Sequence, residues 1–457
     1  MQPIVLHIDM NSYFASCEQQ DNPAWRGKPL GVCEHLGGII IAPSVEAKRW
    51  GVKTGTPVWE ANKLCPQIVL TKTNPDRYRT YTAKFISLLE EYTDAVDRYS
   101  IDEAFLDITK VCNVKTKVLT AEGVMEWQLA DPFAEAEALA KEIKQRITRE
   151  VGDYLRCSVG IAEDKLVAKI ASDMKKPDGL VVVRPQDREW LYQNITLTDI
   201  PGIGNRQARR LGLYGIRTLQ DLRRCPVSHL RQWFGPVMGQ HMWSMGQLRG
   251  SWQEGFATPT PLRSVGHMYT VAQEFRKQPL VAERVLSRLS EMVARRLRGL
   301  GQGASAVGAW ITDKDYQFAG GKATFDAPVD AGNEIFRAAR AAIFRETAGQ
   351  WPNQIYRIGV TAFGLVPVSA ATQLSLFAAV DKKRSLGTAL DKINAKYGGI
   401  APKSMQMRSA LAGVPNYNRA DDVILPAPAF FARNIIRDSV GFGRMKEFRV
   451  ADFKRGG

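Results

Sequence analysis

The chain has little cysteine and little histidine. Its 457 residues include six cysteines and five histidines. Cys17, Cys33, Cys65, Cys112, Cys157 and Cys225 are scattered, with no C-x-x-C pair and no histidine cluster beside them. That pattern argues against a zinc site and a disulfide framework, and for thiols used as small buried hydrophobes. Long apolar runs are also missing: none approaches the roughly 20 residues that a bilayer span requires. The first residues run from Met1 into an apolar segment ending at Asp9, without the basic flank and long apolar stretch of a signal peptide. The expected location is the cytoplasm, with no membrane partner. No internal repeat and no low-complexity tract is present.

Acidic residues are outnumbered. Lys and Arg total 62 against 47 Asp and Glu, for a formal net charge of +15 and a pI near 9.5. The excess is local: between 201 and 300, sixteen Lys or Arg stand against five Asp or Glu. A concentrated basic zone points to a polyanion, with nucleic acid the first candidate and a plain solvated surface the alternative.

What is present is a globular composition, 45% apolar, in a chain long enough for three or four domains. Residues 3–9 (PIVLHID) read as a buried strand ending in an acid, and 12–20 as a helix. Two short strands, 28–33 and 38–42, flank the turn at Gly37–Gly38, and short helices follow at 44–50 and 57–64. Tyr78, Tyr81, Phe85, Leu88, Leu89 and Tyr92 recur at helical spacing over 75–92. Strands are expected near 95–99, 104–108 and 155–161, with helices at 133–150 and 164–175. This order implies an α+β domain with an antiparallel sheet. Residues 110–132 fit an inserted hairpin or a loop. Short helices fill 185–245, a linker covers 246–261, and 262–366 reads as strand, helix, strand, strand, helix, strand, a split βαβ arrangement with helices at 280–299 and 331–347.

Two acidic features carry the chemistry. Asp9 ends an apolar strand, and Asp102 and Glu103 lie between two strand-like segments in SIDEAFLD. Carboxylates at the ends of buried strands are costly unless paired or bound to a cation. Converging from separate strands, they form an oxygen-rich site suited to Mg²⁺, and two such ions can drive an in-line phosphoryl displacement. Alternatively, Asp102 caps a turn and Asp9 pairs with an arginine. Asp107 reads as structural.

HIDMNSYFASCE (7–18) with YSIDEAFLD (99–107) resembles the paired catalytic signature of Y-family DNA polymerases. EAKRWGVKTGTP (46–57) resembles the family's fingers, VGIAEDKLVAKIASDMKKPDG (159–179) the end of its palm and start of its thumb, and LTDIPGIGNRQARRLGLYGIRTLQDL (197–222) its helix-hairpin-helix thumb. The resemblance implies a right hand: a ferredoxin-like palm over 1–25 and 72–165, fingers over 26–71, thumb over 166–245, a little finger over 262–367 and a tail over 368–457. It implies low-fidelity translesion synthesis on primer–template DNA from dNTPs, with two Mg²⁺ ions (Mn²⁺ as a substitute) on Asp9, Asp102, Glu103 and the Met10 carbonyl. Phe14 falls at the steric-gate position that rejects a ribose 2′-hydroxyl, with Tyr13 beside it. Lys176 matches the lysine that contacts the triphosphate. Where many members carry a Tyr and an Arg in the fingers, this chain has Val45 and Lys48, so Lys48 or the adjacent Arg49 supplies that cation. These variations lean toward the branch of the DNA polymerase V catalytic subunit rather than that of DNA polymerase IV.

Gly202 and Gly204 of the PGIG turn let the backbone approach a phosphate, with Arg206, Arg209 and Arg210 beside it. Arg284, Arg288, Arg295, Arg296 and Arg298 line one helix, and Arg263 begins a strand; all are candidates for DNA contact. In QLSLF, Gln373, Leu374, Leu376 and Phe377 match the peptide that docks on a bacterial sliding clamp. The polymerase V-like features imply accessory damage-response subunits as further partners, and the DNA role implies association with the nucleoid. Two other readings are a scaffold that has lost catalysis and a metal-dependent nuclease. All three acids stand against the first. The steric gate, Lys176 and the little finger stand against the second.

Overall fold

The computed structural model describes residues 1–34, 36–119, 125–250, 262–271, 273–367 and 391. The chain divides into two compact units, one formed by the described residues up to 250 and the other by those from 262 onward. Among the described residues no helix is long and apolar enough to cross a membrane.

The first unit runs β1 (Val5–Met10), α1 (Tyr13–Asp21), β2 (Leu30–Cys33), β3 (Ile40–Pro43), α2 (Val45–Arg49), α3 (Val58–Leu64), β4 (Val69–Lys72), α4 (Pro75–Glu90), β5 (Val96–Arg98), β6 (Glu103–Asp107) and α5 (Thr109–Cys112). It continues with β7 (Lys115–Leu119), β8 (Met125–Leu129), α6 (Pro132–Arg146), β9 (Cys157–Ala162), α7 (Lys165–Met174), β10 (Leu180–Val182), α8 (Arg188–Asn194), α9 (Asn205–Gly212), α10 (Leu219–Arg224), α11 (Val227–Phe234) and α12 (Pro236–Gly246). Helix starts follow local chemistry. The side chains of Asn74, Asp131 and Asp164 accept backbone N–H groups at the starts of α4, α6 and α7, and proline occupies the first turn of α4 and α6.

The main sheet has the order β10-β9-β1-β6-β5. Its pairs are antiparallel except β9–β10. β1 is central and, apart from His7, apolar until Asp9, because it is buried on both faces. α7 lies against β1 and β9 through Leu166, Val167, Ile170 and Ala171. Its approach requires Gly160: a Cβ there would fall 2.0 Å from the Ala168 carbonyl oxygen and 2.4 Å from the Ser172 nitrogen.

A three-stranded sheet, β3-β2-β4, with α2 and α3 forms a small subdomain over the apolar group Cys33, Ile40, Ala47, Val52, Val58, Ala61, Cys65 and Ile68. β7 and β8 pair as an antiparallel hairpin, which decides the open alternative for 110–132. α7, which the sequence reading places at the start of the thumb, packs on the main sheet, and β10 joins the edge of that sheet.

The second unit runs β11 (Ser264–Thr270), α13 (Pro279–Gly299), β12 (Gln302–Thr312), β13 (Phe318–Val329), α14 (Gly332–Glu346) and β14 (Arg357–Pro367). Its sheet has the order β11-β14-β12-β13, antiparallel throughout. α13 and α14 pack on it around Leu286, Leu289, Val293, Val307, Ile335, Ile343, Ile358 and Val360. This is the split βαβ arrangement expected for 262–366.

Candidate active site

β1 carries Asp9 to a position directly opposite Glu103 of β6. Strand alternation places His7 and Asp9 on one face. Asp102 stands one residue earlier, in the tight turn from β5, and its carbonyl accepts the Met10 N–H at 2.8 Å. The strands thereby join all three acids and Met10 at one end of the sheet.

Their electrostatics differ. Asp9 pairs with Lys176, Oδ2 to Nζ 2.9 Å, and Lys176 also meets Asp173 at 2.7 Å. Burial works to lower the Lys176 pKa, but Asp9 and Asp173 outweigh it and raise it. Glu103 accepts from Lys169, and its Oε2 lies 3.0 Å from His7 Nε2. Burial opposes its charge, yet the His7 bond and Lys169 prevail and hold its pKa near 2. The buried His7 ring has its own pKa lowered, first by desolvation.

Asp102 has only the Ser100 hydroxyl as a side-chain partner and no cationic partner among the described residues. Desolvation first, then the charges of Asp9 and Glu103, push its pKa up to about 7. Among the described residues no three His, Cys, Asp or Glu side chains close around a point as a finished metal cage. The donor set still fits a hard divalent cation. It is all oxygen, and it includes a desolvated carboxyl crowded by like charge.

The other expected residues fall as follows. Tyr13 is core: its hydroxyl donates to the Tyr78 carbonyl at 2.9 Å and lies 2.9 Å from Thr82 Oγ1. Phe14 is 9% exposed, with its ring stacked on Tyr78 at 4.3 Å between centroids. Lys48 has a lowered pKa, through desolvation and then through Lys176, against the pull of Asp9 and Asp102, so it shares their electrostatic neighbourhood. Arg49 closes the same short helix, α2.

In the PGIG turn Gly202 has φ +101°, a conformation that favours glycine, and Gly204 precedes α9. Arg206 is exposed, whereas Arg210 donates to the Trp233 carbonyl at 2.7 Å. A cleft beside them is lined by Thr196, Asn205, Arg209 and Arg217.

Arg263 is exposed just before β11. The basic helix α13 is not an open row. Arg298 donates to Asp391 at 2.6 Å and to Glu291 at 2.7 Å, and Arg295 lies 3.9 Å from Asp391. Arg296 is half-buried, and its charge acts on buried His267. Gln373, Leu374, Leu376 and Phe377 lie outside the described residues.

His7, Lys169 and Ser172 were not singled out from the sequence. A signal existed. Lys165, Lys169 and Ser172 recur at helical spacing toward one face of α7, and His7 is two residues from Asp9 on the same strand face.

The chain is similar to known proteins over most of its length. The profile of the impB/mucB/samB family matches residues 8–173, and that of the family's C-terminal domain matches 263–376. The thumb-domain profile of DNA polymerase iota matches 198–250. DNA polymerase IV of Pelotomaculum thermopropionicum is 32% identical over 404 residues, covering 87% of this chain and 93% of the relative. DNA polymerase IV of Moorella thermoacetica is 33% identical over 402 residues (86% and 93%), and DNA polymerase IV 1 of Bacillus subtilis 30% over 403 (86% and 91%). A solved Y-family DNA polymerase chimera, Dbh-Dpo4-Dbh, shares the fold at a TM-score of 0.66 and 24% identity, covering 79% of this chain and 99% of the chimera. These relatives carry the polymerase IV name, so the finer lean toward the polymerase V branch finds no support among them. Profiles in family order from 8 to 376, with relatives aligned over most of the length, place the chain in the Y family of DNA polymerases, as a DNA-directed DNA polymerase of translesion synthesis.

Proposed function

We propose that the chain extends primers at low fidelity across damaged templates, by two-metal nucleotidyl transfer at Asp9, Asp102 and Glu103. Polymerases of this family use divalent metal ions and bind primer–template DNA; the finer assignment is Mg²⁺, with Mn²⁺ able to replace it. The observation that carries the reading is the Asp102 carboxyl, desolvated beside Asp9 and Glu103 with no cationic partner among the described residues. Asp9, Asp102, Glu103 and the Met10 carbonyl would hold the ions. Bound there, they would favour ionisation of the primer 3′-hydroxyl and offset the charge of the leaving pyrophosphate.

The chain's own residues do the rest. Lys176 and Lys48 hold the triphosphate, and the electrostatic link of Lys48 to Asp9 and Asp102 favours it over Arg49. Phe14, backed by Tyr78 and packed near Tyr13, closes the space below the sugar. Gly202, Gly204 and Arg206 hold the duplex backbone without reading sequence. Arg263 adds a backbone contact, while Arg295 and Arg296, partly engaged inside their own unit, contribute less.

QLSLF serves as the sliding-clamp peptide, accessory damage-response subunits modulate the enzyme, and its site of action is the cytoplasmic nucleoid. The test is primer extension with Mg²⁺ and four dNTPs on undamaged and abasic templates. Wild type should extend both, and Asp102→Ala neither, while still binding DNA. Extension by Asp102→Ala would refute the assignment of the acids.

A further inference from the structure

Glu103 receives two donors, and both reach the same oxygen. Lys169 Nζ and His7 Nε2 converge on Oε2, and no hydrogen bond to Oε1 is present among the described residues. The carboxylate is thus gripped on one side and presents its other oxygen.

His7 is itself held. It is 0% exposed, its ring packs on Phe105 at 4.5 Å between centroids, and its Nδ1 lies 2.7 Å from Ser172 Oγ. The Ser172 hydroxyl has a competing acceptor, the Lys169 carbonyl at 2.8 Å. Hydrogen-bond accounting separates the alternatives. If Ser172 donated to Lys169, Nδ1 would have to carry the ring proton, and a singly protonated ring would turn a bare Nε2 lone pair on a carboxylate 3.0 Å away. With the proton on Nε2 both ring nitrogens are satisfied: Ser172 donates to Nδ1 in place of the Lys169 carbonyl, and Nε2 donates to Glu103. His7 and Ser172 are both buried, so two polar groups are enclosed in line behind an acid.

We propose that His7 is a positioning residue: held by Ser172, it donates Nε2–H to Glu103 Oε2 and so presents Oε1 to a divalent cation. This rests on the reading of Glu103 as a metal ligand. A partner that orients a ligand in this way is worth about 10- to 100-fold in metal affinity.

Two measurements on the full chain test it. The first is nitrogen-15 NMR of protein labelled at histidine. With five histidines in the chain, the His7 signals are assigned by their loss in His7→Gln. They should show a protonated Nε2, and a bare Nε2 overturns the proposal. The second is titration with Mn²⁺ alone, followed by electron paramagnetic resonance of the free ion. His7→Phe, which keeps a ring but no donor, should weaken binding about 10- to 100-fold. His7→Gln, whose amide can donate from nearly the same place, should recover to within about threefold of wild type. A purely structural histidine would leave Mn²⁺ affinity unchanged in a folded His7→Phe, and that result overturns the proposal.

Should His7→Phe fail to fold, Ser172→Ala takes its place. It removes the hydroxyl that orients the ring and should weaken Mn²⁺ binding several-fold; unchanged binding overturns the proposal. Glu103→Gln is measured alongside. If it binds Mn²⁺ as wild type does, the ligand reading itself fails. If it is weakened and His7→Phe is not, only the role of His7 fails.

Discussion

Asp102→Asn should make the metal-free protein more stable while destroying its catalysis. The Asp102 carboxyl is pushed from an ordinary 3.8 to about 7 by desolvation and by Asp9 and Glu103. A carboxyl whose folded pKa lies above its unfolded one costs nothing below the unfolded value, where both states are protonated. Stability is then lost as pH rises toward the folded value, and above it the loss is complete. About three pKa units correspond to about 4 kcal/mol. Asparagine has nearly the same shape, keeps a bond to Ser100 and cannot ionise.

In chelator at pH 8 the variant should therefore melt higher, by up to about 10 °C for a unit of this size. At pH 5 most of the gap should close, to about 1–2 kcal/mol, because wild-type Asp102 is then largely protonated. A divalent cation should raise the wild type and lift the variant less. Thermal melts at the two pH values, with and without cation, decide the matter. A variant no more stable than wild type at pH 8 in chelator, or a gap indifferent to pH, would refute the reasoning.

Phe14→Ala should raise the relative kcat/KM for ribonucleotides by about tenfold or more, since exclusion by a ring stacked on Tyr78 is steric; unchanged sugar selection in single-nucleotide kinetics would move the gate elsewhere. Gly160→Ala should destabilise by about 3 kcal/mol or more, because its Cβ would fall 2.0 Å from the backbone of α7; a melting temperature equal to wild type would show that α7 moves aside freely. Alanine at Gln373, Leu374 and Phe377 together should remove stimulation by a bacterial sliding clamp and leave unassisted synthesis intact. An equal fall in both would make the segment structural.

Much of the fold was legible because the signals were local. The apolar run ending in Asp9, the helical spacing from Tyr78 to Tyr92 and the strand–helix order of 262–366 each depend on neighbours in sequence. They were read with nearly the observed bounds. The acids drew notice for a different reason: a charge at the end of an apolar strand is costly enough to demand an explanation, while their expected role as metal ligands came from the family resemblance. What escaped was tertiary. Nothing local says that α7 rests on β1 and β9 rather than leading into the thumb; that follows from Gly160 clearing space for it, which is visible only when the two are packed together. The arginines of α13 show the same limit. Their spacing marks a basic face, but the engagement of Arg298 by Asp391 joins residues 93 positions apart. His7 looked like one more strand residue until its two ring nitrogens were seen to have partners on β6 and α7.

These observations make α7 the joint of the site. It presents Lys169 to Glu103 and Ser172 to His7, and the chain leaving it presents Lys176 to Asp9. Two of the three acids thereby have a lysine ion pair, Lys176 being shared with Asp173, and the third, Asp102, has no lysine ion pair among the described residues. The charge left over is negative and small, and it lies beside cations suited to phosphate. Such a site resists protonation at Glu103, tolerates it at Asp102, and is completed most favourably by positive charge arriving together with a polyanion. On the proposed reading of the site, a metal-bound nucleotide supplies that combination. A rise in metal-free stability on neutralising Asp102, with a loss of Mn²⁺ affinity on removing the donor behind Glu103, would both follow from that single imbalance.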